Sequence, residues 1–366
     1  MNAMFPSFTP WMTTPGQMQE QWMGFARKMA HWPKALEVAR KVRVGATPSD
    51  AVFRVDRLRL LRYFTDVEQQ YSTPLLVVFA LVNRPYILDL RPGKSVVSHF
   101  VNRGFGTYNL DWGIPSDGDR FLNMQDYIEG YLDTVVDQVR KRSGCDQISI
   151  LGYCMGGSMS AMYTALHPDK VKNLILLAAP VDWSNREYLL AKWTDASIFD
   201  VDKLIHVYGN APADLLQGSF QLLKPVSTMV EKYFSFYENM EDEKFLEDFF
   251  AMEIWLNDNI PVAGEMFRQF VKYCMQQNLL IQGKLRINGR LVDLRKITCP
   301  ILNLTATQDH LVPAELSLPF NDAVGSSDRK SINFPAGHIG MAVGTKANRE
   351  LWPSVCDWLA ERSDAV

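Results

Sequence analysis

The chain has 366 residues, of which 47% are apolar and 22% charged, with only 22 Gly and 19 Pro. This is the balance of a folded protein with a large core and excludes disordered and fibrous classes. Lys and Arg total 38 against 41 Asp and Glu, a formal net charge of −3, so the bulk charge calls for neither nucleic acid nor an anionic membrane. The five cysteines, Cys145, Cys154, Cys274, Cys299 and Cys356, form no C-x-x-C pair, which argues against a disulfide framework and a metal centre. The first residues lack the basic stretch, apolar segment and cleavage site of a secretory signal, and no apolar run is long enough for a transmembrane segment. A reducing, cytoplasmic location is therefore expected.

Four zones follow in chain order, without repeats or low-complexity tracts. Over 1–47, Met18, Trp22, Phe25, Met29 and Trp32 recur at helical spacing with Arg27, Lys28, Lys34, Arg40, Lys41 and Arg43 interleaved. This predicts an amphipathic helical arm interrupted near Pro33, packed on the protein's own core or docked on a partner or apolar surface. The catalytic domain is expected over 48–366. From 48 to 180 short apolar runs alternate with helical patterns, predicting a mainly parallel α/β sheet with strands over 75–80, 106–111, 148–152 and 171–178. Over 181–292 the rhythm gives way to a mostly helical insertion rich in aromatics such as Trp183, Tyr233, Phe249 and Trp255. The sheet pattern resumes over 293–366, with strands at 301–306 and 331–334 and a closing helix near 354–362.

The chemistry-bearing segment is Gly152-Tyr153-Cys154-Met155-Gly156-Gly157, between an expected strand and an expected helix. A buried cysteine beside glycines is ordinarily a small core residue. Strand, tight turn and helix together, however, describe a nucleophile elbow, in which flanking glycines remove clashes and the next backbone N–H faces the oxyanion site. Downstream come Asp309, just past a strand, and His338, in a loop after another. That order of nucleophile, acid and histidine is the one an α/β-hydrolase fold requires, with loops converging at the carboxyl edge of the sheet. Of the six histidines, His31, His99 and His167 fit structural positions, and His206 falls in the insertion. His310, beside Asp309, is read as a supporting residue one layer behind the reacting groups.

A free thiol titrates near about 8.5, so a histidine within hydrogen-bond reach is needed to raise the reactive fraction at neutral pH. His338 is the expected base, and Asp309 the group that holds its imidazole in the productive tautomer. The Met155 N–H and a second backbone N–H from the loop after the 75–80 strand, assigned to Val82, are the expected oxyanion donors.

Gly152-Tyr-Cys-Met-Gly-Gly, Ala80-Leu-Val-Asn-Arg-Pro-Tyr-Ile-Leu-Asp-Leu, Leu110-Asp-Trp-Gly, Ala263-Gly-Glu-Met-Phe-Arg-Gln-Phe, Gln308-Asp-His-Leu-Val-Pro and Gly337-His-Ile-Gly, all between about Asp50 and the C-terminus, resemble motifs of the polyhydroxyalkanoate synthases. Length and wording are similar to the short catalytic subunit, more of the class III than the class IV kind. The resemblance implies transfer of (R)-3-hydroxyacyl groups from coenzyme A thioesters onto a growing polyester, with the acyl group on Cys154, His338 activating the thiol and Asp309 assisting. It implies no bound cofactor. It also implies an accessory subunit, a homodimer or hetero-oligomer, and association with polyester granules in the cytoplasm.

The residues themselves favour acyl transfer over hydrolysis, because a thiolate attacking a thioester yields another thioester of similar energy. Water must then be kept from the site, and the 181–292 insertion is the segment large enough to serve as a lid. A cysteine hydrolase acting on esters or lactones is the alternative reading, and a non-catalytic granule-surface protein the third.

Overall fold

The computed structural model describes residues 23–366 except 25, 27 and 227–229. Met18, Trp22, Phe25 and Arg27 of the expected arm lie outside the described residues. The chain forms two compact units.

The smaller unit joins the segment ending at Arg43 to Lys224–Ile254. Its helix α1 (Trp32–Lys41) has Pro33 in the first turn, where proline's missing N–H costs nothing, so the interruption expected near Pro33 is where a new helix starts. Ala35 and Val38 are buried against Met240 and Leu246, with Phe236, Tyr237 and Phe250 packed around them. Charge follows the same pairing: Lys28 meets Glu238 at 2.9 Å, His31 meets Glu241 at 3.6 Å, and Lys34 meets Glu243 at 3.0 Å. Exposed pairs of this kind contribute about 0–1 kcal/mol each, so burial of the small apolar cluster dominates.

The larger unit, Val44–Leu223 with Trp255–Val366, is built on an eight-stranded sheet. Its strands are β1 (Ser49–Val55), β2 (Leu58–Tyr63), β3 (Tyr71–Val78), β4 (Phe105–Asp111), β5 (Ile148–Tyr153), β6 (Val171–Leu177), β7 (Ile301–Ala306) and β8 (Arg329–Phe334). They lie in the order β1-β2-β4-β3-β5-β6-β7-β8. β2 runs antiparallel to β1 and β4, and every pairing from β4 to β8 is parallel. All residues of β5 and β7 are buried, as strands covered on both faces must be, and this is why apolar residues predominate in them.

Helix α2 (Asp133–Ser143) buries Val135, Val136 and Val139, and ends at Gly144 in the left-handed region with φ +70°, the usual glycine stop. Helix α3 (Met155–Leu166) buries all twelve of its residues. Its small side chains let it lie close against the sheet. Within 181–292 the larger unit holds helices α4 (Val201–Tyr208), α5 (Ala213–Leu222) and α6 (Gly264–Gln269), together with a two-stranded hairpin, Arg286–Ile287 with Arg290–Leu291. Helix α7 (Trp352–Ala360) closes the chain. Among the described residues no helix is long and apolar enough to cross a membrane.

Candidate active site

Parallel register brings five loops out at one edge of the sheet. Val78 at the end of β3 lies opposite Gly152 of β5, Tyr153 of β5 opposite Leu177 of β6, Leu177 opposite Leu304 of β7, and Ala306 of β7 opposite Phe334 of β8. The residues that follow each strand therefore meet above the carboxyl ends, where open α/β sheets bind ligands.

At the end of β5 the chain turns into α3 within one residue. Cys154 has φ +56° and ψ −127°, a conformation that a side chain opposes, and its N–H is held by the Leu177 carbonyl at 2.8 Å. The turn is this tight because three glycines allow it. A Cβ on Gly156 would lie 2.3 Å from the Val78 carbonyl oxygen, one on Gly157 would lie 2.5 Å from the Ala179 Cβ, and one on Gly152 would lie 2.5 Å from the Gly157 Cα. Cys154 thus stands at the N-terminus of α3, whose unpaired N–H groups and positive dipole end favour negative charge on the sulfur. The Met155 N–H is the first of those groups.

Asp309 follows β7 with its side chain fully shielded. Its Oδ1 accepts the N–H groups of Leu311 and Val312 at 2.9 and 2.8 Å. That leaves Oδ2 for His338, whose Nδ1–H donates to it at 2.6 Å. Cys154 is the other polar group that acts on the ring, both as a charge and as a hydrogen-bonding partner. The two loops are also sewn together through backbone: Thr307 N–H donates to Phe334 O at 2.9 Å, and Gln308 N–H to Ala336 O at 3.0 Å. The imidazole is 9% exposed. Burial alone would lower its pKa, but the Asp309 carboxylate and the Cys154 sulfur on either side outweigh that and raise it to about 10, favouring an imidazolium between two anions.

Val82 lies on the loop between β3 and the short turn Pro85–Leu88. This loop is fixed by Asn83, which takes φ +70°, and by Trp255 of the insertion, whose Nε1–H donates to the Arg84 carbonyl at 2.8 Å. His310 does not join the group. It is exposed, and among the described residues it makes no hydrogen bond or ion pair with Cys154, Asp309 or His338, because the turn that buries Asp309 points the next residue outward. His206 is exposed on α4, His99 bonds Asn348, and His167 lies 4.0 Å from both Glu129 and Asp133. Tyr153 went without a role in the sequence. The structure sets its ring on His338 at 5.0 Å, and an aromatic residue next to the nucleophile was the one available sign. Among the described residues no cluster of three His, Cys, Asp or Glu could hold a metal ion.

This sheet, elbow and loop arrangement define an α/β-hydrolase-fold protein. A family model described as the alpha/beta hydrolase fold matches residues 89–345, and the fold is shared with a soluble variant of the monoglyceride lipase of Saccharomyces cerevisiae, at 11% identity and a TM-score of 0.57 over 88% of this chain and 97% of that one. Residues 26–100 match the model of the poly-beta-hydroxybutyrate polymerase N-terminus. The poly(3-hydroxyalkanoate) polymerase subunit PhaC of Haloferax mediterranei is 46% identical over 328 residues, spanning 90% of this chain and 67% of that protein. That of Allochromatium vinosum is 39% identical over 350 residues, spanning 95% and 98%. The chain belongs to the poly(3-hydroxyalkanoate) polymerase family and is an enzyme of polyester synthesis.

Proposed function

We propose that the enzyme polymerises (R)-3-hydroxyacyl groups from coenzyme A thioesters through a thioester on Cys154, releasing free coenzyme A. The observation that carries this reading is the chain of contacts from the Asp309 carboxylate through the His338 imidazole to the sulfur at the elbow. In the first step the Cys154 thiolate, its proton already held by the His338 imidazolium, attacks the substrate carbonyl. Negative charge gathers on the carbonyl oxygen, where the Met155 and Val82 N–H groups are the proposed donors. The carbon–sulfur bond to coenzyme A then breaks, and the leaving thiolate takes the proton from the imidazolium. In the second step the 3-hydroxyl of another hydroxyacyl group loses its proton to His338 and attacks the Cys154 thioester, forming an ester bond and freeing the sulfur.

Keeping the acyl group as a thioester preserves its reactivity toward an alcohol, and it also requires that water stay out. The insertion is the proposed lid, supported by the grip of Trp255 on the loop that carries Val82. The accessory subunit, oligomeric assembly and granule surface implied by the motifs belong to the same proposal. Incubation with 3-hydroxybutyryl-CoA tests it: insoluble polyester and free coenzyme A are expected. Free 3-hydroxybutyrate without polymer would replace the polymerase reading with that of a cysteine hydrolase.

A further inference from the structure

Tyr153 touches His338 in two independent ways. Its hydroxyl donates to the His338 backbone carbonyl at 3.0 Å, and its ring stacks on the imidazole, with centroids 5.0 Å apart and planes inclined by 23°. On another side the Phe79 ring meets it edge-on at 5.5 Å, and the Phe79 carbonyl accepts the Trp112 indole N–H at 2.9 Å. The tyrosine is 1% exposed. Burial, and then the negative charge of Cys154 and Asp309, keep its phenol protonated, so it acts as a hydrogen-bond donor.

We propose that Tyr153 is the positioning residue that registers His338 against Cys154, fixing the loop that carries the base through its hydroxyl and the plane of the imidazole through its ring. The inference rests on the acyl-transfer reading of Cys154, His338 and Asp309. Asp309 fixes the ring at one nitrogen, which leaves rotation about that bond free. A stacked aromatic face removes this freedom, and the electron-rich face also favours the imidazolium over the neutral ring. Because Tyr153 precedes Cys154 directly, the end of one rigid strand sets both the nucleophile and the distance to its base. His338 itself lies outside any regular element, so this contact supplies order that its own loop lacks. A base displaced by a fraction of an ångström transfers protons far less well.

Two substitutions separate the two contacts. Tyr153→Phe keeps the ring and loses the hydrogen bond, and Tyr153→Leu loses both. The measurements are steady-state turnover of 3-hydroxybutyryl-CoA and the pH dependence of iodoacetamide alkylation at Cys154, read by peptide mapping, with His338→Gln as reference. For Tyr153→Phe, kcat is expected to fall by about threefold to tenfold with KM nearly unchanged, and for Tyr153→Leu by about 100-fold. The alkylation inflection should move upward in pH in the order wild type, Phe, Leu, with His338→Gln at least as far. A tyrosine that only fills space would lower the unfolding midpoint and leave the inflection in place, which would overturn the proposal. Should Tyr153→Leu fail to fold, Tyr153→Phe decides: kcat and inflection equal to wild type overturn it. If His338→Gln itself leaves the wild-type inflection unmoved, the fault lies with the acyl-transfer reading of the site and not with Tyr153 alone.

Discussion

Cys154 carries the sharpest conflict between local preference and position. Its φ of +56° with ψ −127° costs a side-chain-bearing residue about 1–3 kcal/mol, a strain accepted because the turn presents the sulfur at the head of α3. Removing the side chain should therefore stabilise the fold: Cys154→Gly is expected to exceed Cys154→Ala by about 1 kcal/mol in urea unfolding, both being inactive, and equal stabilities would show that the turn is unstrained. His338→Gln and Asp309→Asn should each slow polyester formation by about 10²–10⁴-fold, measured as coenzyme A release. The buried ion pair also predicts a pH dependence. A histidine whose pKa rises on folding, from 6.5 to about 10, contributes stability that is complete below 6.5 and is lost as pH climbs through about 10. The gap in unfolding midpoint between wild type and His338→Gln should accordingly narrow across that window, and a gap that widens with pH would contradict an imidazolium at this position. Burial pushes Cys274, Cys299 and Cys356 up to about 12, so these thiols should not compete for alkylation near neutral pH.

At the scale of elements, the elbow depends on how closely α3 approaches β3. A Cβ on Gly156 would meet the backbone oxygens of Val78 and Phe79 at 2.3 and 2.5 Å, and backbone in the middle of a parallel sheet cannot step aside. In an open helix Gly→Ala gains up to about 1 kcal/mol. Gly156→Ala should instead lose about 1–3 kcal/mol or more and displace the sulfur. Gly218 of α5, around which a Cβ meets nothing within 4 Å, provides the comparison, and Gly218→Ala should raise stability in the same thermal unfolding assay. If both substitutions behave alike, the close-approach argument fails. The strands β3 to β7 were legible because burial on both faces leaves them mostly apolar, with only a few buried polar residues such as Asn303 and Thr305, and β8 was found from its last four residues. β1 and β2 were not found. They form the antiparallel edge, partly exposed and carrying Arg54, Arg59 and Arg62, so neither a continuous apolar run nor a clean alternation marks them. The partnership of α1 with Met240 and Leu246 was equally hidden, since nothing local in either segment names a partner some two hundred residues away.

For the molecule as a whole, the arrangement of the candidate site follows from topology. Once β5, β7 and β8 run parallel in one sheet, with β6 between the first two, Cys154, Asp309 and His338 emerge at one edge, and the order of the motifs along the chain already pointed to that edge. What the order could not supply was the support around them: the Tyr153 contact with His338, the Trp255 hydrogen bond to the Val82 loop, and the outward turn of His310 depend on packing between distant segments. Trp255→Phe, which removes the hydrogen bond to Arg84 O together with part of the buried ring, should raise the share of free hydroxy acid relative to polymer, and an unchanged product ratio would mean that this contact does not help exclude water. In the proposed mechanism the growing chain is held on one sulfur. Rapid acid quench of the enzyme with radiolabelled 3-hydroxybutyryl-CoA, followed by peptide mapping, tests it most directly. The expected result is label on the peptide containing Cys154, lost on thiol exchange and absent from Cys154→Ala. Label on another residue, or polymer made by Cys154→Ala, would contradict it.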